Sequence, residues 1–83
     1  MIVDCHNHIG YRKGEYFSAD EMISWMDNAA VDMCVVFAQL EAIDNDYVAA
    51  SVQEYPDRLI GWIVLDPWEY GAEEELSRCV TEL

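Results

Sequence analysis

Positive charge is scarce in this sequence. Four lysines and arginines stand against 17 aspartates and glutamates, for a formal net charge of −13. A surface that grips nucleic acid needs clustered Lys and Arg to meet phosphates, so that class of partner is excluded. The same poverty of cations argues against an anionic membrane surface. Cysteine is also sparse. Cys5, Cys34 and Cys79 are odd in number, far apart and without a C-x-x-C pair, so they form neither a disulfide framework nor a zinc-binding spacing. Reduced thiols in a reducing cytoplasm are the expectation. Long apolar runs are missing too. The longest, Met33–Ala38 and Leu59–Leu65, fall far short of the ~20 residues that cross a bilayer. A secretory leader is not expected, because Asp4 interrupts the first apolar stretch and no basic segment precedes it.

What the chain does have is apolar bulk. Hydrophobic residues make up 53% of its 83 residues, and three Trp, five Tyr and two Phe are among them. That composition belongs to a globular chain, and the length fits one domain, residues 1–83, near the lower limit of independent folding. The acid excess reads as solvated helix faces, with Glu73, Glu74 and Glu75 as one such run.

Two kinds of segment alternate along the chain. A short strand is expected over about 1–5. Ser18-Ala19-Asp20-Glu21 then has the form of a capping box, and Met22, Ile23, Met26, Ala29 and Ala30 follow at helical spacing. This predicts a helix over about 19–29. The next strand, about 31–37, holds the continuous apolar run Met33–Phe37, as in a strand covered on both faces. A second helix is expected over about 44–55, capped by Asp44 or Asn45 and stopped by Tyr55-Pro56. A third strand, about 59–65, ends at Asp66-Pro67. A third helix, about 71–83, carries Leu76, Val80 and Leu83 at i, i+4 and i+7. Three βα units in succession imply an α/β fold with a parallel sheet.

Both histidines of the chain lie in the stretch Asp4-Cys5-His6-Asn7-His8. Residues two apart on a strand share a face. If the strand runs on through residue 8, Asp4, His6 and His8 lie on one side, with Cys5 and Asn7 on the other. Two imidazoles on one face of a strand end can chelate one divalent ion, at the C-terminal end where α/β proteins hold their ligands. An isolated H-x-H is more often unrelated to metal. Here it follows a strand directly, an aspartate precedes it by two, and no histidine lies elsewhere. His6 and His8 are therefore the candidate metal ligands, for zinc or another divalent ion. Asp4 is expected to orient them from behind. Catalytic zinc normally takes three protein ligands and a water, so further ligands must come from elsewhere.

The D-x-H-x-H arrangement of Asp4–His8 resembles the first metal-binding motif of the amidohydrolase superfamily. Tyr55-Pro56-Asp57-Arg58-Leu59-Ile60-Gly61-Trp62, Leu65-Asp66-Pro67 and Glu74-Glu75-Leu76-Ser77-Arg78 are similar to its amidohydrolase-related branch, which includes aminocarboxymuconate semialdehyde decarboxylase-like enzymes. The resemblance runs over nearly the whole chain. It implies a TIM (β/α)8 barrel, of which this chain would be the first three βα units, truncated. It implies a divalent metal, usually zinc, at the barrel mouth, with His6 and His8 as the ligands from the first strand. It implies hydrolysis of a small carboxylated, amide or ester substrate through a metal-activated water, or decarboxylation. The family's later ligands and its catalytic acid come from later strands and map onto no residue here, so the chain alone is expected to be inactive. Asp66 lies in the L-D-P segment, where turn formation is the better reading.

Three strands do not close a barrel. Helices on one face would leave the other bare, with two unpaired strand edges, which predicts self-association or coverage by the remainder of a barrel. Weaker hints surround the histidines. Gln39 and Glu41 are placed at the mouth, and Tyr11, Tyr16 and Phe17 in the loop after the histidines, where Arg12 and Lys13 could meet a carboxylate. Trp25, Trp62 and Trp68 read as packing residues, with Trp68 the best placed to reach a ligand. The competing readings are a PHP-type or TatD-type metal phosphoesterase, which also opens with H-x-H after a strand, and a catalytically dead remnant serving as an assembly module.

Overall fold

A computed structural model describes all 83 residues. Its elements are β1 (Val3–His8), β2 (Gly10–Arg12), β3 (Glu15–Phe17), α1 (Ala19–Ala29), β4 (Met33–Phe37), α2 (Asn45–Glu54), β5 (Leu59–Gly61) and α3 (Ala72–Glu82). β1, β4 and β5 form a parallel sheet in that order, with β4 in the centre, while β2 and β3 form a separate antiparallel hairpin. The expected parallel α/β arrangement of three strands and three helices is present.

α1 starts where its cap requires. The Ser18 hydroxyl accepts the Glu21 N–H at 3.1 Å, and the Glu21 carboxylate lies 3.4 Å from that same hydroxyl. At the other end Ala30 takes a left-handed conformation (φ 56°), and Val31 N–H closes on Met26 O at 2.9 Å. That closure consumes Val31, so β4 begins at Met33, two residues later than the expected start near 31, and coincides with the apolar run. Asp44 caps α2 by accepting the Tyr47 N–H at 3.0 Å. Tyr55 leaves helical geometry just before Pro56, as the proline ring demands.

Met22 and Met26 of α1, Val48 of α2 and Cys34, Val36 and Leu59 of the sheet share one buried cluster with Ile9 and Ala38. α1 and α2 therefore cover the same face of the sheet. The opposite face carries Phe37, stacked on Trp62 at 6.0 Å, with Trp62 itself 54% exposed.

Four sequence expectations are corrected. β1 extends over 3–8 rather than 1–5, because β4 pairs with it as far as His8 against Phe37. The third strand ends at Gly61 rather than 65. Its partner β4 stops at Phe37, and beyond Trp62 the backbone of Val64 bonds to the Asn45 side chain instead of to a strand. The loop after the histidines is a hairpin, turned by Lys13 and Gly14, which both take positive φ (50° and 82°) as a two-residue hairpin turn needs. Trp68 packs against nothing: it is 93% exposed. Asp66 does form a turn, accepting the Trp68 N–H at 3.0 Å on its carboxylate.

The Y-P-D-R segment ties the units together. Arg58 reaches back to Asp27 at 2.7 Å and to the carbonyls of Asp32 at 2.9 Å and Val31 at 3.2 Å. Tyr55 donates its hydroxyl to the Asp20 carboxylate. Glu75 is no solvated charge either, since Arg78 and Asn45 both bond to it.

Candidate metal-ligating site

The site grows out of an irregularity in β1. Asp4 pairs with Cys34 and Asn7 with Val36, so three steps along β1 match two along β4. The extra residue is a bulge, and it reverses the alternation of faces. Asp4 and Asn7 turn toward the helix-covered side, where they line a cavity of about 390 Å³ with Met22, Trp25 and Cys34. His6 and His8 turn the other way, onto Phe37. The expectation that Asp4 shares the face of the histidines is therefore corrected. Asp4 acts on the histidines through the backbone, accepting the His6 N–H at 3.2 Å on its carboxylate and so holding the bulge in shape.

The two imidazoles form a compact group. Their ring centroids are 5.2 Å apart, and the Phe37 ring meets both edge-on, at 5.0 Å from His6 and 4.4 Å from His8. Two imidazoles on one tetrahedral zinc, with Zn–N near 2.0–2.1 Å, have centroids about 5 Å apart, so the spacing fits a shared ion. His8 Nδ1 lies 3.1 Å from the Ala38 carbonyl oxygen. A carbonyl can only accept, so Nδ1 carries the proton and Nε2 of the neutral ring keeps its lone pair. A metal-binding histidine is normally anchored in this manner. The structure brings no group of three or more His, Cys, Asp or Glu side chains together as a metal centre. A catalytic zinc normally takes three protein ligands, and the group here holds two imidazoles.

An open cavity of about 570 Å³ adjoins His8, lined also by Arg12, Tyr16, Phe17, Glu21 and Gln39. Of the residues expected around the mouth, Gln39, Arg12, Tyr16 and Phe17 reach this space. Glu41 instead faces Arg12 at 3.8 Å, an exposed pair of small energetic weight. Tyr11 belongs to a neighbouring cavity with Tyr47 and Asp44. Two contributors escaped the sequence reading, Phe37 under the imidazoles and the Ala38 carbonyl. Their signal was present in the register, because the last residue of a parallel neighbour strand lies beside His8.

No protein-family model and no curated protein matches the sequence. The fold does match a solved structure, a probable 2-pyrone-4,6-dicarboxylic acid hydrolase from Acinetobacter baumannii with citric acid bound. The TM-score is 0.70 at 21% identity, covering 95% of this chain and 33% of that one. The chain spans about a third of that protein's length. At this identity the likeness is one of fold alone. No helix is long and apolar enough to cross a membrane.

Proposed function

We propose that this chain forms the first three βα units of a (β/α)8 barrel of the amidohydrolase-related type, with His6 and His8 as two ligands of a catalytic divalent metal, zinc by preference. The observation that carries the reading is the His6–His8 pair on one face of the C-terminal end of β1, with the Ala38 carbonyl fixing His8 in the tautomer that leaves Nε2 open. The hydrolase of like fold supports it. The remaining ligands and the acid or base lie outside these residues. So does the cover of the sheet face that bears Phe37 and Trp62, whether from the rest of the barrel or from a second copy.

A metal held there supplies Lewis-acid polarisation of a carbonyl and lowers the pKa of water. The chain's own residues prepare for this. Phe37 wedges both rings, Ala38 sets the His8 proton, and Asp4 keeps the bulge that points the pair away from the helices. The substrate is a small carboxylated, amide or ester compound received in the cavity beside His8, where Arg12 and Gln39 offer donors. Hydrolysis is the favoured reaction, because the neighbour in fold is a hydrolase.

Zinc titration calorimetry on the purified chain, on His6→Ala and on His8→Ala tests the reading. Saturable binding that either substitution abolishes is the expected result. Binding unchanged in both variants overturns the ligand assignment. Turnover of a simple phosphodiester by the complete zinc-loaded barrel, with none of an ester or lactone, would move it to the phosphoesterases.

A further inference from the structure

The hairpin beside the histidines builds a second cavity. Tyr11 and Tyr16 are cross-strand partners, with ring centroids 4.9 Å apart and planes tilted by 50°. Tyr16 lies 5.6 Å from Tyr47 of α2, tilted by 52°. These three rings, with Gly10, Ile43 and Asp44, bound a space of about 530 Å³. Here Tyr11 and Tyr16 remain 58% and 47% exposed. All three tyrosines line this hollow.

The chemistry of the lining selects the ligand. Its one charged residue is Asp44, and no lysine or arginine enters it. Aromatic faces are electron-rich and attract cations, most strongly where water is displaced. The net charge of −13 concentrates cations around the chain. An anion would meet Asp44. A bare metal ion would find too few oxygens, since hard cations gather six or more and Asp44 already accepts the Tyr47 N–H at 3.0 Å. A neutral apolar group would bury the carboxylate uncompensated. The Tyr16 phenol, pushed up to about 12 first by the Tyr47 hydroxyl beside it and then by burial, stays protonated at neutral pH. The wall therefore presents ring faces rather than a phenolate.

We infer that the Tyr11–Tyr16–Tyr47 cavity binds the methylated ammonium group of a small organic cation, with Asp44 as its counter-charge. The inference stands apart from the metal reading, because none of these side chains belongs to the His6–His8 pair. The cavity shares Gly10 and Tyr16 with the one beside His8, so a cation seated here lies next to the candidate site.

The test is NMR of the purified chain with 13C-labelled tyrosine rings, titrated with choline and, separately, with 3,3-dimethylbutan-1-ol, its neutral carbon isostere. Saturable shifts at Tyr11, Tyr16 and Tyr47 with choline, and at least tenfold weaker response to the isostere, are expected. Tyr11→Leu should weaken choline binding about threefold or more, and Tyr11→Phe should retain it. Asp44→Asn keeps a good helix cap, so the fold persists while the counter-charge goes, and binding should weaken. Absence of saturable shifts overturns the inference. So do equal responses to the two compounds, or choline binding undiminished in both Tyr11→Leu and Asp44→Asn.

Discussion

The side chain of Asn45 pairs with the backbone of Val64 through both its groups: Oδ1 accepts the Val64 N–H at 3.0 Å, and Nδ2 donates to the Val64 carbonyl at 3.0 Å. Asn45 is 5% exposed, at the first turn of α2, and its Nδ2 also reaches Glu75 of α3 at 3.3 Å. One amide thus stands in for a strand neighbour at the point where the sheet gives out, and links α2 and α3 to the chain beyond β5.

Asn45→Ala should therefore destabilise the fold by about 1–3 kcal/mol, because it strands a backbone N–H and C=O that have no other partner. Asn45→Asp keeps the acceptor, loses the donor and sets a second carboxylate against Glu75, so it should cost at least as much. Urea unfolding followed by circular dichroism measures both, as a lower midpoint at unchanged slope.

Glu75 gives the fold an acid limb. Its bonds to Arg78, then to Cys79 and Asn45, outweigh desolvation and lower its carboxyl from the ordinary 4.5 to about 2. A carboxyl with a depressed folded-state pKa binds its proton more readily when the chain is unfolded. Its contribution is therefore complete above about pH 4.5 and is lost as the pH falls toward 2. The partners lie near the surface, so the effect should be modest and reduced by salt. Urea midpoints between pH 5 and pH 2 should fall less steeply for Glu75→Gln than for the parent chain.

Gly61 is needed for space. A Cβ there would lie 2.9 Å from Val52 Cγ2 and 3.2 Å from Val48 Cγ1, both on α2, which packs directly over β5. Gly61→Ala should cost about 1–3 kcal/mol through this crowding. Val52→Ala removes the closer methyl, so the double variant should lose less than the sum of the two single losses. A double-mutant cycle of unfolding free energies reads this coupling. Strict additivity would show that helix and strand part freely.

The sequence made the regular parts of this fold readable and hid those that depend on a partner. Met33–Phe37 announced a central strand because its apolar run is unbroken, and it does lie between β1 and β5, while Ser18 announced α1 because a cap is a local device. The apolar run from Leu59 onward looked like a long strand, but pairing ends where β4 ends, and that boundary lies 22 residues upstream of Leu59 at Phe37. The hairpin turn is Lys-Gly, without the Asn-Gly or Asp-Gly that usually marks one. At the site, the spacing of His6 and His8 was legible and their common face followed from it. The position of Asp4 was not, because a bulge is a mismatch between two strands and appears in neither alone.

That bulge leaves His8 with a single anchor, and the anchor makes the last prediction. Nδ1 sits 3.1 Å from an oxygen that can only accept. The neutral ring should thus be held as the Nδ1–H tautomer, whereas a free imidazole in water favours the other form. Long-range 1H–15N correlation spectra at neutral pH should give His8 a protonated-type Nδ1 and an unprotonated-type Nε2. Added zinc should then move Nε2 while Nδ1 keeps its proton. A His8 found mainly as Nε2–H would show that the Ala38 contact does not hold in solution. The ring would then have to turn over and lose its anchor before it could bind metal, and the case for a strand end prepared for zinc would fall.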